Sequence, residues 1–358
     1  MKLKRLNIVN FKNHELREFI FNKKISCFTG KNGVGKTNVL DAMYYLSFSK
    51  SFINPTDNQN IRNQEDFFTL RGVYEIDQME ENIVLTFSKT NGKTLKRNDK
   101  EYEKISTHIG LIPLVIINPQ DIKLIFDGSA ERRKFIDAAI SQYNKSYLSA
   151  IQNYNRALLQ RNKILKTSAQ HQGFDYSLMQ MWDMHLVSNA KIIHKVRKEF
   201  CEKFIPEFIK FYNIISGENE EPQLKYQTQL DKDDMQNLLI ANFERDKILQ
   251  HTSCGVHKDD LIFEISNRPL KNSGSQGQQK TFLAALKLAQ FFHLRQNGKT
   301  PLLLLDDVFD KLDAIRVKKI VNLVTENKDF GQIFMSHTNQ DDIKKIFENN
   351  NDYEIFEL

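Results

Sequence analysis

Gly30-Lys31-Asn32-Gly33-Val34-Gly35-Lys36-Thr37 reads G-x-x-x-x-G-K-T and stands between two segments of opposite periodicity. Before it, Lys24-Ile25-Ser26-Cys27-Phe28-Thr29 is a β-type run; after it, Asn38 to Leu46 has helical spacing. Strand, glycine-rich loop and helix in that order predict a phosphate-binding loop. Gly30, Gly33 and Gly35 let the backbone, with Lys31, Asn32 and Val34, turn its N–H groups around phosphate oxygens, where side chains are expected to collide. Lys36 adds a point charge for the β- and γ-phosphates, and Thr37 offers a hydroxyl to Mg²⁺. The helix starting near Thr37 turns its positive dipole end to the same anion. A nucleoside triphosphate is the expected ligand.

Three further segments gain meaning from that loop. Leu302-Leu303-Leu304-Leu305-Asp306-Asp307 is an apolar strand ending in two acids. Many strands end in acid, but opposite a phosphate loop Asp306 is placed to hold Mg²⁺ through water and Asp307 to accept a proton from the attacking water. Ser273-Gly274-Ser275-Gln276-Gly277-Gln278-Gln279 precedes a helix; it reads alone as a helix cap, or as a second phosphate cradle. His337, after another short apolar run, is a structural histidine by itself and a γ-phosphate contact in this company.

Hydrophobic residues make up 40% and charged residues 27% of the 358, values of a globular protein. No apolar run approaches the eighteen or so residues of a membrane helix. Cys27, Cys201 and Cys254 are far apart, which argues against a disulfide framework or zinc site and for a cytoplasmic location. The chain carries +6, while Ser129 to Asn213 alone holds 14 Lys and Arg against 7 Asp and Glu, a local +7 that leaves the remainder at −1. Scattered lysines usually mark a solvated face; concentration in one segment points to a polyanion.

Short strands are expected over the first 120 residues, among them Asn82 to Phe87 and Leu111 to Ile117, with a hairpin turn at Thr90-Asn91-Gly92-Lys93. From Ser129, Ile136, Ile140, Tyr143, Tyr147, Ile151, Tyr154 and Leu158 recur at spacings of three and four, predicting one long amphipathic helix. A polar break at Lys166 to Gly173 leads to a second helix, Tyr176 to Tyr212, with Pro206 as a kink. Two helices of ~35 residues would form a hairpin on the order of 50 Å long. A strand at Gln223 to Gln229 and a helix at Lys232 to Leu249 follow, then α/β character with a strand at Leu261 to Ser266, a helix at Gln278 to Gln296 and a strand at Pro301 to Leu305.

The order phosphate loop, S-x-G-Q, acidic strand, D-loop-like Lys311-Leu312-Asp313, histidine resembles the ABC-type ATPase head. The fold class expected is therefore α/β, a P-loop ABC-type ATPase head (1–120 and 250–358) with an inserted α-helical hairpin arm (121–249). Ser275 and Gly277, with Gln278, match the signature S-G-G-Q, which in that superfamily closes on ATP bound to a second subunit. Within the group the chain resembles the RecF family nearly end to end. Asn10-Phe11-Lys12-Asn13 is similar to N-F-R-N, and Thr37 to Ala42 with Lys50-Ser51-Phe52 to T-N-L-L-E-A and K-S-F-R. Gly128 to Asp137 is similar to G-x-P-x-x-R-R-x-F-x-D, Gly255-Val256-His257-Lys258-Asp259-Asp260 to G-P-H-R-D-D, and Asp306-Asp307-Val308 with Leu312-Asp313 to the second signature. Ala130, Gln120, Ile53 and Asp310 depart from the pattern; Gln120 suits the superfamily's Q-loop.

The resemblance implies a weak, DNA-stimulated ATPase of recombinational gap repair that uses ATP and Mg²⁺. ATP-driven homodimers would bind single-strand/duplex junctions and promote RecA loading with RecO and RecR. Arg132, Arg133, Lys145, Arg156, Arg161, Lys163, Lys191, Lys195, Arg197 and Lys198 are the candidates for phosphate contact. Arg132 and Arg133 have an equal alternative, bracing by pairing with Asp137 or other acids. The rivals are a transporter motor, against which the basic arm argues, a purely structural ATP-binding module, and an SMC-like ATPase head with a nuclease partner, which needs a longer coiled coil and a C-x-x-C hook.

Overall fold

The computed structural model describes residues 1–168, 175–217, 220–307, 314–326, 330–348 and 350–358. They fall into two compact units: Met1–Asp121 with Ile214–Gly217 and Gln276–Leu358, and Ile122–Asn213 with Glu218–Ser275.

The first unit opens with strands β1 (Lys2–Phe11), β2 (His14–Ile20) and β3 (Ile25–Thr29), then helix α1 (Lys36–Phe48). Strands β4 (Phe67–Ile76), β5 (Met79–Ser88), β6 (Gly92–Arg97), β7 (Lys100–Glu101) and β8 (Leu114–Ile117) follow. Strand β8 starts only after Pro113, which has no N–H to offer a ladder, so it is shorter than the expected Leu111 to Ile117. An antiparallel sheet runs β2-β1-β4-β5-β6-β7. The alternation in β4, with Phe68, Leu70 and Tyr74 inward, is that of a half-solvated sheet.

The second unit begins with the short helix α2 (Lys123–Phe126), followed by α3 (Ser129–Ser141), α4 (Lys145–Ser168) and α5 (Tyr176–Ser216), whose last turn belongs to the first unit. The single long helix expected from Ser129 is thus two. Asn144 Oδ1 accepts the N–H of Tyr147 at 2.9 Å, an N-cap that starts a new helix. Helix α4, 24 residues, spans about 36 Å. Helix α5 continues through Pro206 for 41 residues. Strand β9 (Pro222–Gln227) and two short helices, α6 (Met235–Ala241) and α7 (Phe243–Leu249), come next. They divide the helix expected at 232–249 at Asn242, whose side chain turns back to Leu238 O. Strands β10 (Asp260–Ile265) and β11 (Arg268–Pro269) with β9 make a separate antiparallel sheet, ordered β11-β10-β9. That sheet packs through β10 on α3, so 250–275, expected in the head, cluster with the arm, as does α8 (Leu270–Ser273).

The chain returns to the first unit with α9 (Gln276–Gln296), β12 (Leu302–Asp306), α10 (Ala314–Glu326), β13 (Ile333–His337), α11 (Gln340–Ile346) and β14 (Tyr353–Glu357). A parallel sheet results, ordered β14-β3-β13-β12-β8. Its strands β3 and β12 are buried along their whole length, which is why they read as continuous apolar runs. Helix α1 packs on β13, β12 and β8 of this sheet and on β4, β1 and β5 of the other. A helix covered on both sides is apolar nearly all round: Val39, Leu40, Met43, Tyr45 and Leu46 are all fully buried.

Candidate functional site

In parallel α/β sheets the strand ends converge on one edge, and ligands sit beyond it. Register places Thr29 opposite His337 and Asp306 opposite Ser336. The loop Gly30–Gly35 leaves this edge and runs straight into α1. Gly35 occupies the N-cap with φ 108° and no side-chain cap, so the first-turn N–H groups keep their capacity for an anion. A Cβ on Gly35 would lie 2.6 Å from both Asn13 and His14. Gly33 differs: nothing lies within 4 Å of its Cβ position, and its φ of 87°, not crowding, demands glycine there.

Lys36 Nζ donates to Gly30 O at 2.7 Å and Lys31 O at 3.0 Å, carbonyls of the loop it will serve. Burial holds its pKa below the usual lysine range, opposed by Asp307 and Asp306. Thr37 Oγ1 and Ser336 Oγ both donate to Asp306 Oδ1, at 2.8 and 2.7 Å. Burial raises the Asp306 pKa against these two hydrogen bonds, with Asp307 and Asp41 adding to the rise. Asp307 takes a left-handed φ of 50°, and its N–H donates to Ser336 Oγ at 3.0 Å. A carboxylate beside a threonine hydroxyl is an oxygen donor pair that fits a divalent cation such as Mg²⁺.

Gln120 and His337 stand at the ends of strands of this sheet, and Ser275, Gly277 and Gln278 at the start of α9. Gln120 lies in the single turn Pro119–Ile122 after β8, its N–H bonded to Asn118 Oδ1 at 2.8 Å. His337 ends β13 and accepts the N–H of Asn339 on Nδ1 at 3.0 Å. Ser275 directly precedes α9, with Gly277 and Gln278 in its first turn. Lys311-Leu312-Asp313, Asp310 and Val308 lie outside the described residues.

Two supports of the loop escaped the sequence reading. Asn13 Nδ2 donates to Gly33 O at 3.3 Å and Asn13 Oδ1 accepts from Asn38 at 2.7 Å; the buried His14 donates from Nε2 to Gly35 O at 3.1 Å. On the buried side of α1, Asp41 is fully buried; it pairs with Lys12 Nζ at 2.5 Å and accepts Ser51 Oγ at 2.7 Å and the N–H of Phe52 at 2.9 Å. Only the matches at Asn10–Asn13, Asp41 and Lys50–Phe52 signalled it, and they gave no pairing.

Within the second unit, four expected phosphate contacts are internal braces. Arg197 is 2% exposed and donates to Asp259, Asp137, Val256 O and Tyr147 at 2.7 to 2.9 Å. Arg161, 0% exposed, pairs with Asp183 at 2.6 Å and Asp246 at 2.7 Å. Arg132 forks onto both oxygens of Asp260 at 2.7 and 2.9 Å, and Arg133 donates to Ser129 and to Asp259 O. Arg197 and Arg161 are buried against carboxylates, out of reach of a phosphate in solvent, whereas Arg132 and Arg133 are part-exposed and hold the bracing contacts named. Lys191, Lys195 and Lys198 are exposed; Lys198 meets Asp231 at 3.1 Å and Lys195 meets Glu199 at 3.9 Å.

Glycine cradle, acidic strand end and sheet order together define a P-loop head of the ABC/SMC type carrying a helical insertion. The model of the RecF/RecN/SMC N-terminal domain family matches residues 2–354, and the chain belongs to that family. It is 48% identical to the DNA replication and repair protein RecF of Phocaeicola vulgatus over 99% of this chain and 96% of that relative. It is 47% identical to the RecF of Flavobacterium johnsoniae over the whole of both chains. Among solved structures it is similar to the recombination mediator protein RecF-ATP, with TM-score 0.87 and 29% identity over 95% of this chain and 93% of that one. An Smc head domain from Pyrococcus furiosus shares the fold at TM-score 0.59 and 16% identity, over 99% of this chain and 93% of that one.

Proposed function

We propose that this chain is an ATP-dependent DNA-binding protein of recombinational gap repair, with slow ATP hydrolysis as its switch. The observation that carries the reading is the meeting of Thr37 and Asp306 beside an uncapped loop–helix junction. Thr37 and Asp306 would hold Mg²⁺, which supplies charge neutralisation at the β- and γ-phosphates. Lys36 exchanges loop carbonyls for those phosphates. Asp307, whose N–H is held by Ser336, accepts the proton of the attacking water, with Gln120 and His337 flanking. Ser275, Gly277 and Gln278 complete the nucleotide site of a second copy, so that ATP drives a homodimer.

The relatives named RecF and the RecF-ATP structures support the assignment to DNA replication and repair. In that role the dimer binds single-strand/duplex junctions and promotes RecA loading with RecO and RecR. Sedimentation velocity with ATP, ADP and junction DNA in every combination tests the reading. A dimer with ATP alone, and DNA bound more tightly by it, is expected. A monomer under all conditions, or equal DNA affinity with ADP, would remove the reading.

A further inference from the structure

We propose that the solvent face of α4 is a phosphate-contact surface for a nucleic-acid backbone; this rests on the DNA-binding reading above and assigns the contact to one helix. No acidic residue occurs between Asp137 and Asp175, so α4 carries five cations and no carboxylate. At 100° per residue, Gln152, Arg156, Leu159, Lys163 and Lys166 fall within an arc of about 80°. All five are exposed, whereas Tyr147, Ala150, Tyr154, Ala157, Arg161 and Leu165, on the opposite side, are buried. The helix is therefore fixed in rotation: Arg156, Lys163 and Lys166 point outward, while Arg161 turns inward.

Among the described residues no carboxylate pairs with Arg156, Lys163 or Lys166. Around them the exposed Ser149, Gln152, Asn153 and Asn155 present uncharged donors, which suit phosphate oxygens at no electrostatic cost. Leu159, 64% exposed, is the single large apolar side chain on this face, too little for the apolar centre of a protein interface. Helix α5 is different. Its sequence includes Asp183, Glu199, Glu202 and Glu207, and two of its five exposed lysines, Lys195 and Lys198, meet carboxylates. A phosphate approaching α5 displaces an existing partner and passes other carboxylates of that helix, whereas α4 itself has no carboxylate.

The test compares two full-length variants, Arg156→Gln/Lys163→Gln/Lys166→Gln and Lys191→Gln/Lys195→Gln/Lys198→Gln, for binding to two unrelated DNA sequences with ATP present. Both should bind ATP as the parent does, which confirms folding. Between about 50 and 200 mM salt, the first should flatten the slope of log affinity against log salt by about 2.7 on duplex and about 2.1 on single strands. The second should alter it by less than one contact, about 0.9. The loss should be the same for both sequences. A parental slope in the first variant overturns the proposal, as does loss of an acidic protein partner with DNA binding intact. A parent protein without salt-dependent DNA binding removes the reading of function itself, and this surface with it.

Discussion

Thr37 Oγ1 donates to Asp306 Oδ1 across 2.8 Å, tying the first turn of α1 to the end of a buried strand 269 residues later. The contact brings two oxygen atoms together at the edge of the phosphate loop, and only the hydroxyl proton has to turn away for both to face a cation.

Lys36→Ala should weaken triphosphate binding by at least tenfold, about 1.5–3 kcal/mol for a charge-assisted contact. The fold should persist, since Lys36 Nζ bonds only to two loop carbonyls. Calorimetric titration checks it; parental affinity in a folded variant would show that the loop does not hold the phosphates.

Asp307→Asn should slow hydrolysis by about 10²–10⁴-fold, the usual contribution of a general base, and lengthen the life of the ATP-bound dimer. Single-turnover phosphate release measures it. An unaltered rate moves the base elsewhere.

Ser275→Arg should leave ATP binding to the monomer intact and abolish ATP-induced dimerisation, because Ser275 stands exposed at the head of α9. Light scattering with ATP decides; normal dimers would refute the shared site.

Arg197→Met should destabilise the second unit by about 3–5 kcal/mol, since it leaves two carboxylates, one of them 1% exposed, without their cation. Lys195→Met, at an exposed position, should change stability by less than about 0.5 kcal/mol. Urea midpoints followed by near-ultraviolet dichroism compare the two.

His257 should make stability fall in acid. Its Nε2–H donates to Thr252 O at 3.0 Å and its Nδ1 accepts from Tyr154 at 2.8 Å, the pattern of a neutral ring. Burial, with Lys258 and Arg133 nearby, lowers its pKa to about 4. Because the folded value lies below the unfolded one, the contribution is complete above about pH 6.5 and is lost as pH falls toward 4, by on the order of 1.4 kcal/mol per unit. In His257→Gln that part of the acid slope should vanish; an unchanged slope between pH 6.5 and 4 would contradict the assignment.

What the sequence made legible was local. Strand β3, the loop and α1 follow each other without interruption, and Leu302–Leu305 is a continuous apolar run that ends in Asp306. What it hid depends on partners far away in the chain. Arg161 and Arg197 look like surface cations until Asp246 and Asp259 are brought to them. Their spacing does mark them: Tyr147, Tyr154 and Arg161 recur every seven residues on the buried stripe, and Ile193, Arg197, Phe200 and Phe204 share another. The break between α3 and α4 was masked because Ile140, Tyr143 and Tyr147 keep helical spacing across it. Asp41 and Lys12 form a buried pair that no pattern on one element could announce.

Strand β3 has as neighbours β13 and β14, which lie about 300 residues further along the chain. On a ribosome adding roughly 5–20 residues per second, β3 waits on the order of 15–60 seconds with both edges open. The second unit, whose residues lie between, is synthesised complete during that interval. The residues of the arm are therefore all made before the phosphate loop has its sheet to stand on. Until β13 and β14 emerge, the apolar run Ile25–Thr29 keeps two unpaired edges, the kind of segment that chaperones cover.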